Sequence, residues 1–224
     1  MFIIFDLDDT LIDTSAFIAP FLLRVALRYA QEKGLVFEEA EGARLLEQHV
    51  REPSSEMALK KFLEEHGASS SLVIETLQQY RFLPDPNLDI VPVPYAIDIV
   101  KALAFHRLAV VTIGREELQH YKLKKAGFFL DLFSKIVVTT ERNKKIHYKS
   151  LLDEYGDAPC ETVVIGDRIE IDLKPAKELG CNTVRVMRGR GAYEEQQDKI
   201  VDYTIYDLRE LPEIIEKVKK NGYK

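Results

Sequence analysis

The apolar positions of this chain fall into two regimes. The chain opens with an uninterrupted apolar run, Phe2-Ile3-Ile4-Phe5, too short for a helix and bounded at once by Asp6. Such a run reads as a strand buried on both faces. From residue 15 to about 83 the spacing is helical only. Phe17, Phe21 and Val25 continue to Arg28–Ala30 as one face, stopped at Gly34, and a second helix is expected over 38–50. Pro53-Ser54-Ser55-Glu56 starts a third helix that ends at Gly67, and 69–80 gives a fourth. Pro84, Pro86, Pro92 and Pro94 then favour stiff, extended backbone and predict a linker.

Beyond the prolines the pattern alternates. Helices are expected over 95–105, 116–126, 145–155, 173–179 and 208–218, with strands over 108–112, 135–138, 162–165, 183–186 and 203–206. Apolar strands alternating with helices predict a parallel sheet covered on both faces. The opening strand belongs to it, so the helical block is an insertion after the first strand. The expected division is a core of 1–14 and 84–224 with a four-helix subdomain of 15–83.

Composition leaves this picture intact: 46% hydrophobic and 30% charged residues over 224 positions suit a globular core. A net charge of −6 argues against nucleic-acid binding. Cys160 and Cys181 form no metal-binding spacing and read as reduced, which points to the cytoplasm. The first apolar run stops at Asp6 and Arg24 and Arg28 interrupt the second, so neither a signal peptide nor a membrane anchor is expected.

The candidate chemistry lies where the strands end, since ligands of open α/β sheets bind beyond the carboxyl ends of the strands. The first strand empties into Asp6, Asp8 and Asp9. On extended backbone Asp6 and Asp8 stand roughly 6–7 Å apart on one side, and Asp9 faces the other. Two anions beside a buried strand call for a cation, by default an oxygen-ligated divalent metal. The second predicted strand delivers Thr112-Ile113-Gly114, a hydroxyl and exposed amides suited to a phosphate. A later strand delivers Gly166-Asp167, with Asp172 five residues on, and between them lies Arg142-Asn143-Lys144-Lys145. Carboxylates, a hydroxyl, amides and a lysine are the parts that handle a phosphoryl group.

In this order the motifs resemble the haloacid dehalogenase superfamily, in its phosphatase branch with a helical cap inserted after the first motif. Asp6-Leu7-Asp8-Asp9-Thr10, Val110-Val111-Thr112-Ile113-Gly114 and Gly166-Asp167 with Asp172 carry the resemblance, as does the stretch 119–127. It implies a Rossmann-like parallel-sheet core and a Mg²⁺-dependent phosphatase acting through an aspartyl-phosphate on a small phosphorylated metabolite. By the resemblance, Asp6 is nucleophile and metal ligand, and Asp8 is general acid and base and gives a backbone ligand. Asp167 holds the metal, and Asp172 orients the lysine or the metal's waters. Thr112, Ile113 and Gly114 bind phosphate with either Lys144 or Lys145, Lys144 being preferred. The general-acid aspartate argues against a dehalogenase; a phosphomutase shares the core, and a non-catalytic phospho-accepting regulator is the alternative of another class. Arg24, Arg28, His49 and Arg51 of the subdomain could touch a substrate, although each reads first as a solvated side chain. The expected state is a monomer or homodimer.

Overall fold

The computed structural model describes residues 1–81 and 88–221. Pro84 and Pro86 of the expected linker, and its junction with the helical block, lie outside the described residues. The chain divides into two compact units, Met1–Asp13 with Ile90–Lys224, and Thr14–Asp89.

The first unit is built on strands β1 (Phe2–Phe5), β2 (Arg107–Ile113), β3 (Lys135–Thr139), β4 (Thr162–Gly166), β5 (Asn182–Val186) and β6 (Tyr203–Ile205). They form one sheet in the order β3-β2-β1-β4-β5-β6, with every neighbouring pair parallel. The central strand β1 is buried at all four residues, as its unbroken apolar run requires. Phe5 pairs with Val110 on one side and Ile165 on the other, which brings the ends of β2 and β4 level with Asp6. Period-two alternation sends Phe2, Ile4, Ala109, Val111 and Val164 to one face, against Tyr148, Leu151 and Leu152 of a helix.

In the second unit, α1 (Ala19–Glu32), α2 (Glu39–Gln48), α3 (Ser55–Glu65) and α4 (Ser70–Tyr80) share a core of their own. Ser54 and Ser69 cap α3 and α4, their hydroxyls accepting from Met57 N–H at 3.1 Å and Leu72 N–H at 3.3 Å. The buried face of α1 is not the expected one. Phe17 and Val25 are exposed, and Leu23, Ala26, Leu27 and Ala30 face the core. The chain around Phe17 is a π-helical turn, Thr14–Ile18, which shifts the helical phase before α1 begins.

The remaining helices, all in the sheet unit, are α5 (Ala96–Ala102), α6 (Glu116–Lys125), α7 (Lys145–Tyr155), α8 (Lys174–Lys177) and α9 (Leu211–Asn221). The helix expected over 173–179 is a π-helical turn, Ile169–Leu173, running into the four-residue α8. Where the chain leaves the sheet unit and returns to it, the two passages are hydrogen-bonded to each other. Asp13 N–H donates to Val91 C=O and Val93 N–H to Leu11 C=O, both at 2.9 Å, with Ile12 bridging antiparallel to Pro92. Among the described residues no helix is long and apolar enough to cross a membrane.

Candidate active site

Asp6 continues the ladder one step past β1, its N–H donating to Ile165 C=O at 2.8 Å. The expected extended course then breaks. Leu7 C=O accepts from the amides of Leu11 and Ile12, and Asp9 takes a left-handed φ of 62°. Asp9 is therefore not turned to the other side of the chain: it lines the same cavity of about 120 Å³ as Asp6, Asp8, Thr112, Lys144 and Asp167.

Lys144, immediately before α7, is 1% exposed. Its Nζ donates to Asp6 Oδ1 and Asp172 Oδ1, both at 2.6 Å, and to Val111 C=O at 2.8 Å. All three ammonium hydrogens are thereby used. Lys145, the other candidate, points out of the site and pairs with exposed Glu178 at 2.8 Å. One residue of helix rotation separates a buried cation from a solvated one.

The electrostatics follow from burying this many charges together. Burial pushes the Asp6 carboxyl up; Lys144 opposes the shift, Asp172 and Asp8 add to it, and the group settles at about 7. Burial also raises Asp167 well above the usual carboxylate range, reinforced by Asp172, Asp9 and Asp6. Burial works to discharge Lys144, yet Asp172 and Asp6 hold its pKa well above the ordinary lysine value.

Carboxylate oxygens of Asp6, Asp167 and Asp172 lie within 4.8 Å of one another. Three hard oxygen donors, two of them with pKa values raised by crowding and burial, are a donor set suited to a small divalent cation such as Mg²⁺. The Asp8 carboxylate is not one of this trio. Its Oδ1 accepts from Lys122 Nζ at 2.7 Å and its Oδ2 from Gln119 Nε2 at 2.9 Å.

Thr112, the last residue but one of β2, is buried, and its hydroxyl oxygen lies 2.8 Å from Gln119 Nε2. Ile113 lines the cavity. The Gly114 amide, expected to meet an anion, instead donates to Thr139 C=O at 2.8 Å, because β3 runs alongside to that level. His49 is likewise committed elsewhere. Its ring nitrogens meet Ser55 Oγ at 2.9 Å and Ser15 C=O at 3.2 Å, within the helical unit. Arg24, Arg28 and Arg51 are exposed.

Two groups of site residues carry no signal in the local hydrophobic pattern. Gln119 and Lys122 sit on the buried side of α6. The other group is the turn after β5. Gly191 N–H donates to Asp167 Oδ2 at 3.1 Å, and Arg190 lines the cavity. A β-carbon at Gly191 would stand 2.0 Å from Asp167 C=O, and one at Gly189, whose φ is 49°, would stand 2.1 Å from Asp9 Oδ2. Only glycine admits that approach. Arg185, buried beneath the turn, donates to the carbonyls of Gly191 and Glu194 and holds it against the strand ends. The alternation Gly189-Arg190-Gly191 behind a strand is the signal that points to it.

The family model described as haloacid dehalogenase-like hydrolase matches residues 3–186. A protein of Methanocaldococcus jannaschii named glyceraldehyde 3-phosphate phosphatase is 31% identical, the match covering 98% of each chain. The protein of that name from Methanopyrus kandleri is 28% identical, again over 98% of each. Among solved structures, YfnB from Bacillus subtilis bound to magnesium has a TM-score of 0.71 at 21% identity, over 96% of this chain and 97% of its own.

Proposed function

The chain belongs to the haloacid dehalogenase-like hydrolase family, and we propose that this phosphoric monoester hydrolase acts with Mg²⁺, through an aspartyl-phosphate on Asp6, on a small phosphorylated metabolite. The observation that carries the proposal is the pairing of Asp6 with Lys144 at the end of the central strand. Lys144 engages Oδ1 of Asp6, and Oδ2 remains the nucleophilic oxygen. Oδ2 attacks phosphorus in line with the ester oxygen. Asp8 gives a proton to that oxygen as the P–O bond breaks, then removes one from the water that attacks the phosphorus of the acyl phosphate. Thr112 holds a non-bridging phosphate oxygen, and Lys144, whose hydrogens go to Asp6, Asp172 and Val111, supplies positive charge beside it.

Asp6, Asp167 and Asp172 would hold or flank the cation, directly or through its waters. When bound, Mg²⁺ supplies the positive charge that offsets repulsion between a carboxylate nucleophile and a phosphate dianion. Gly191 N–H fixes one oxygen of Asp167 and leaves the other for the ion. The cavity is lined by the carboxylates, Thr112 and Lys144 that handle a phosphoryl group, which leaves recognition of the rest of the substrate to other residues. We assign that task to the helical unit Thr14–Asp89 in the role of a cap. The names of the Methanocaldococcus jannaschii and Methanopyrus kandleri relatives support a three-carbon aldehyde phosphate as the first substrate to test.

The test is phosphate release by purified protein with and without Mg²⁺, beside an Asp6→Asn variant. Acid quenching during turnover should leave one phosphoryl group on the peptide that carries Asp6. Equal turnover by Asp6→Asn, or a phosphoryl group on another residue, removes the nucleophile assignment.

A further inference from the structure

The side of α6 packed into the protein is oddly polar. Gln119, Lys122 and Leu123 are its buried residues, at the i, i+3, i+4 spacing of one helix face. An apolar residue would fill either polar position at lower cost, since a buried ammonium loses its hydration. Both polar groups converge on Asp8: the Lys122 side chain is 7% exposed and reaches Oδ1, and Gln119 reaches Oδ2. The same Gln119 nitrogen lies 2.8 Å from Thr112 Oγ1 and 2.9 Å from Ile113 C=O. Its two hydrogens face three acceptors, so one is shared between two of them. The amide ties the aspartate and the end of β2 into one rigid frame.

We propose that Lys122 and Gln119 are positioning residues that aim the Asp8 carboxyl at the leaving oxygen of the substrate, a reading that rests on the phosphatase function proposed above. Contacts to both carboxylate oxygens fix the two side-chain torsions of Asp8. Each carboxyl oxygen has two lone-pair directions, so accepting a hydrogen from Lys122 or Gln119 does not by itself use up either oxygen. In the first step the O–H bond on Asp8 breaks and a new O–H bond forms on the leaving oxygen, which keeps the electron pair of the broken P–O bond. The shared amide matters because Thr112 is assigned to the phosphate: one group then sets acid and phosphate in a common frame. A misplacement of about 1 Å in such a frame costs roughly 10²-fold in rate.

The experiment compares phenyl phosphate with 4-nitrophenyl phosphate, two substrates of similar shape. The nitrophenolate leaves with little help from a proton, whereas phenolate needs more. Lys122→Met, which keeps the stem and removes the ammonium, should lower kcat/KM for phenyl phosphate about tenfold or more beyond its effect on 4-nitrophenyl phosphate. Gln119→Met should act in the same direction, and it decides the question by the same ratio if Lys122→Met loses its fold. Parallel losses on both substrates, or no loss on either, overturn the positioning role while leaving the phosphatase reading standing. A wild-type protein that releases phosphate from neither of these substrates nor from glyceraldehyde 3-phosphate refutes the phosphatase reading, and this inference with it.

Discussion

Replacing Lys144 by methionine keeps the aliphatic stem and deletes the charge on which the site's carboxylates converge. Asp6 and Asp172 would each lose a 2.6 Å charge-assisted hydrogen bond in a buried setting, with Asp167 beside them. Removing one partner of a buried ion pair costs about 3–5 kcal/mol. A chain of this size loses about 2–4 °C of Tm per kcal/mol, so the sheet unit should melt about 6–20 °C earlier at pH 8 in EDTA. The neighbouring Lys145→Met is the control. Its pair with Glu178 joins side chains that are 43% and 47% exposed, and exposed pairs contribute about 0–1 kcal/mol. The cost in Lys144→Met should shrink at pH 6, where the orphaned carboxylates take up protons, and also on adding Mg²⁺, which restores positive charge. Differential scanning calorimetry on both variants, at both pH values and with and without Mg²⁺, measures all of this. Should Lys144→Met melt within about 2 °C of wild type at pH 8 in EDTA, the reasoning from buried charge fails.

The metal-free wild type should itself become less stable as pH rises. The Asp6 carboxyl titrates at about 7 in the folded protein against 3.8 as its ordinary value, so the folded state holds the extra proton between those limits. Stability is therefore greatest at the acid end of that window and declines up to about pH 7. Mg²⁺ must displace the same proton, so the rise in Tm it produces should be larger at pH 8 than at pH 6; a pH-independent rise would contradict the assignment of Asp6 as a ligand. Gly191→Ala places a methyl group against the Asp167 backbone and forces the turn outward, breaking its N–H contact to the carboxylate. Mg²⁺ affinity measured by calorimetry should fall about tenfold or more, in line with the loss of other groups that orient metal ligands, and an unchanged affinity would show that the turn is not needed.

The parallel sheet was legible because unbroken apolar runs such as Phe2–Phe5 and Val163–Ile165 have few other uses, and because they alternate with helices. Asp6, Thr112 and Asp167 were legible by their place at strand ends. The residues that support them were not. Lys122 sits in a stretch of lysines that resembles any solvated helix, and only the position of α6 over the strand ends buries it. The choice between Lys144 and Lys145 depends on where α7 begins, a one-residue matter that spacing does not resolve. Asp9 was expected on the far side because extended geometry was carried one residue too far; the left-handed turn at that position reverses the direction. The Gly114 amide was expected to be free because its partner, Thr139, belongs to a neighbouring strand and cannot be read locally.

The paired passages at Leu11–Asp13 and Val91–Val93 make the excursion between them a loop with fastened ends. Closing a loop costs only about 0.6 kcal/mol more for each doubling of its length. The sheet therefore gains little from a short insert and loses little from a long one. By this measure, lengthening the segment between the paired passages should cost the strands that carry the carboxylates little. With the segment in the cap role proposed above, rewriting it would change what is recognised while the reacting groups stay where they are.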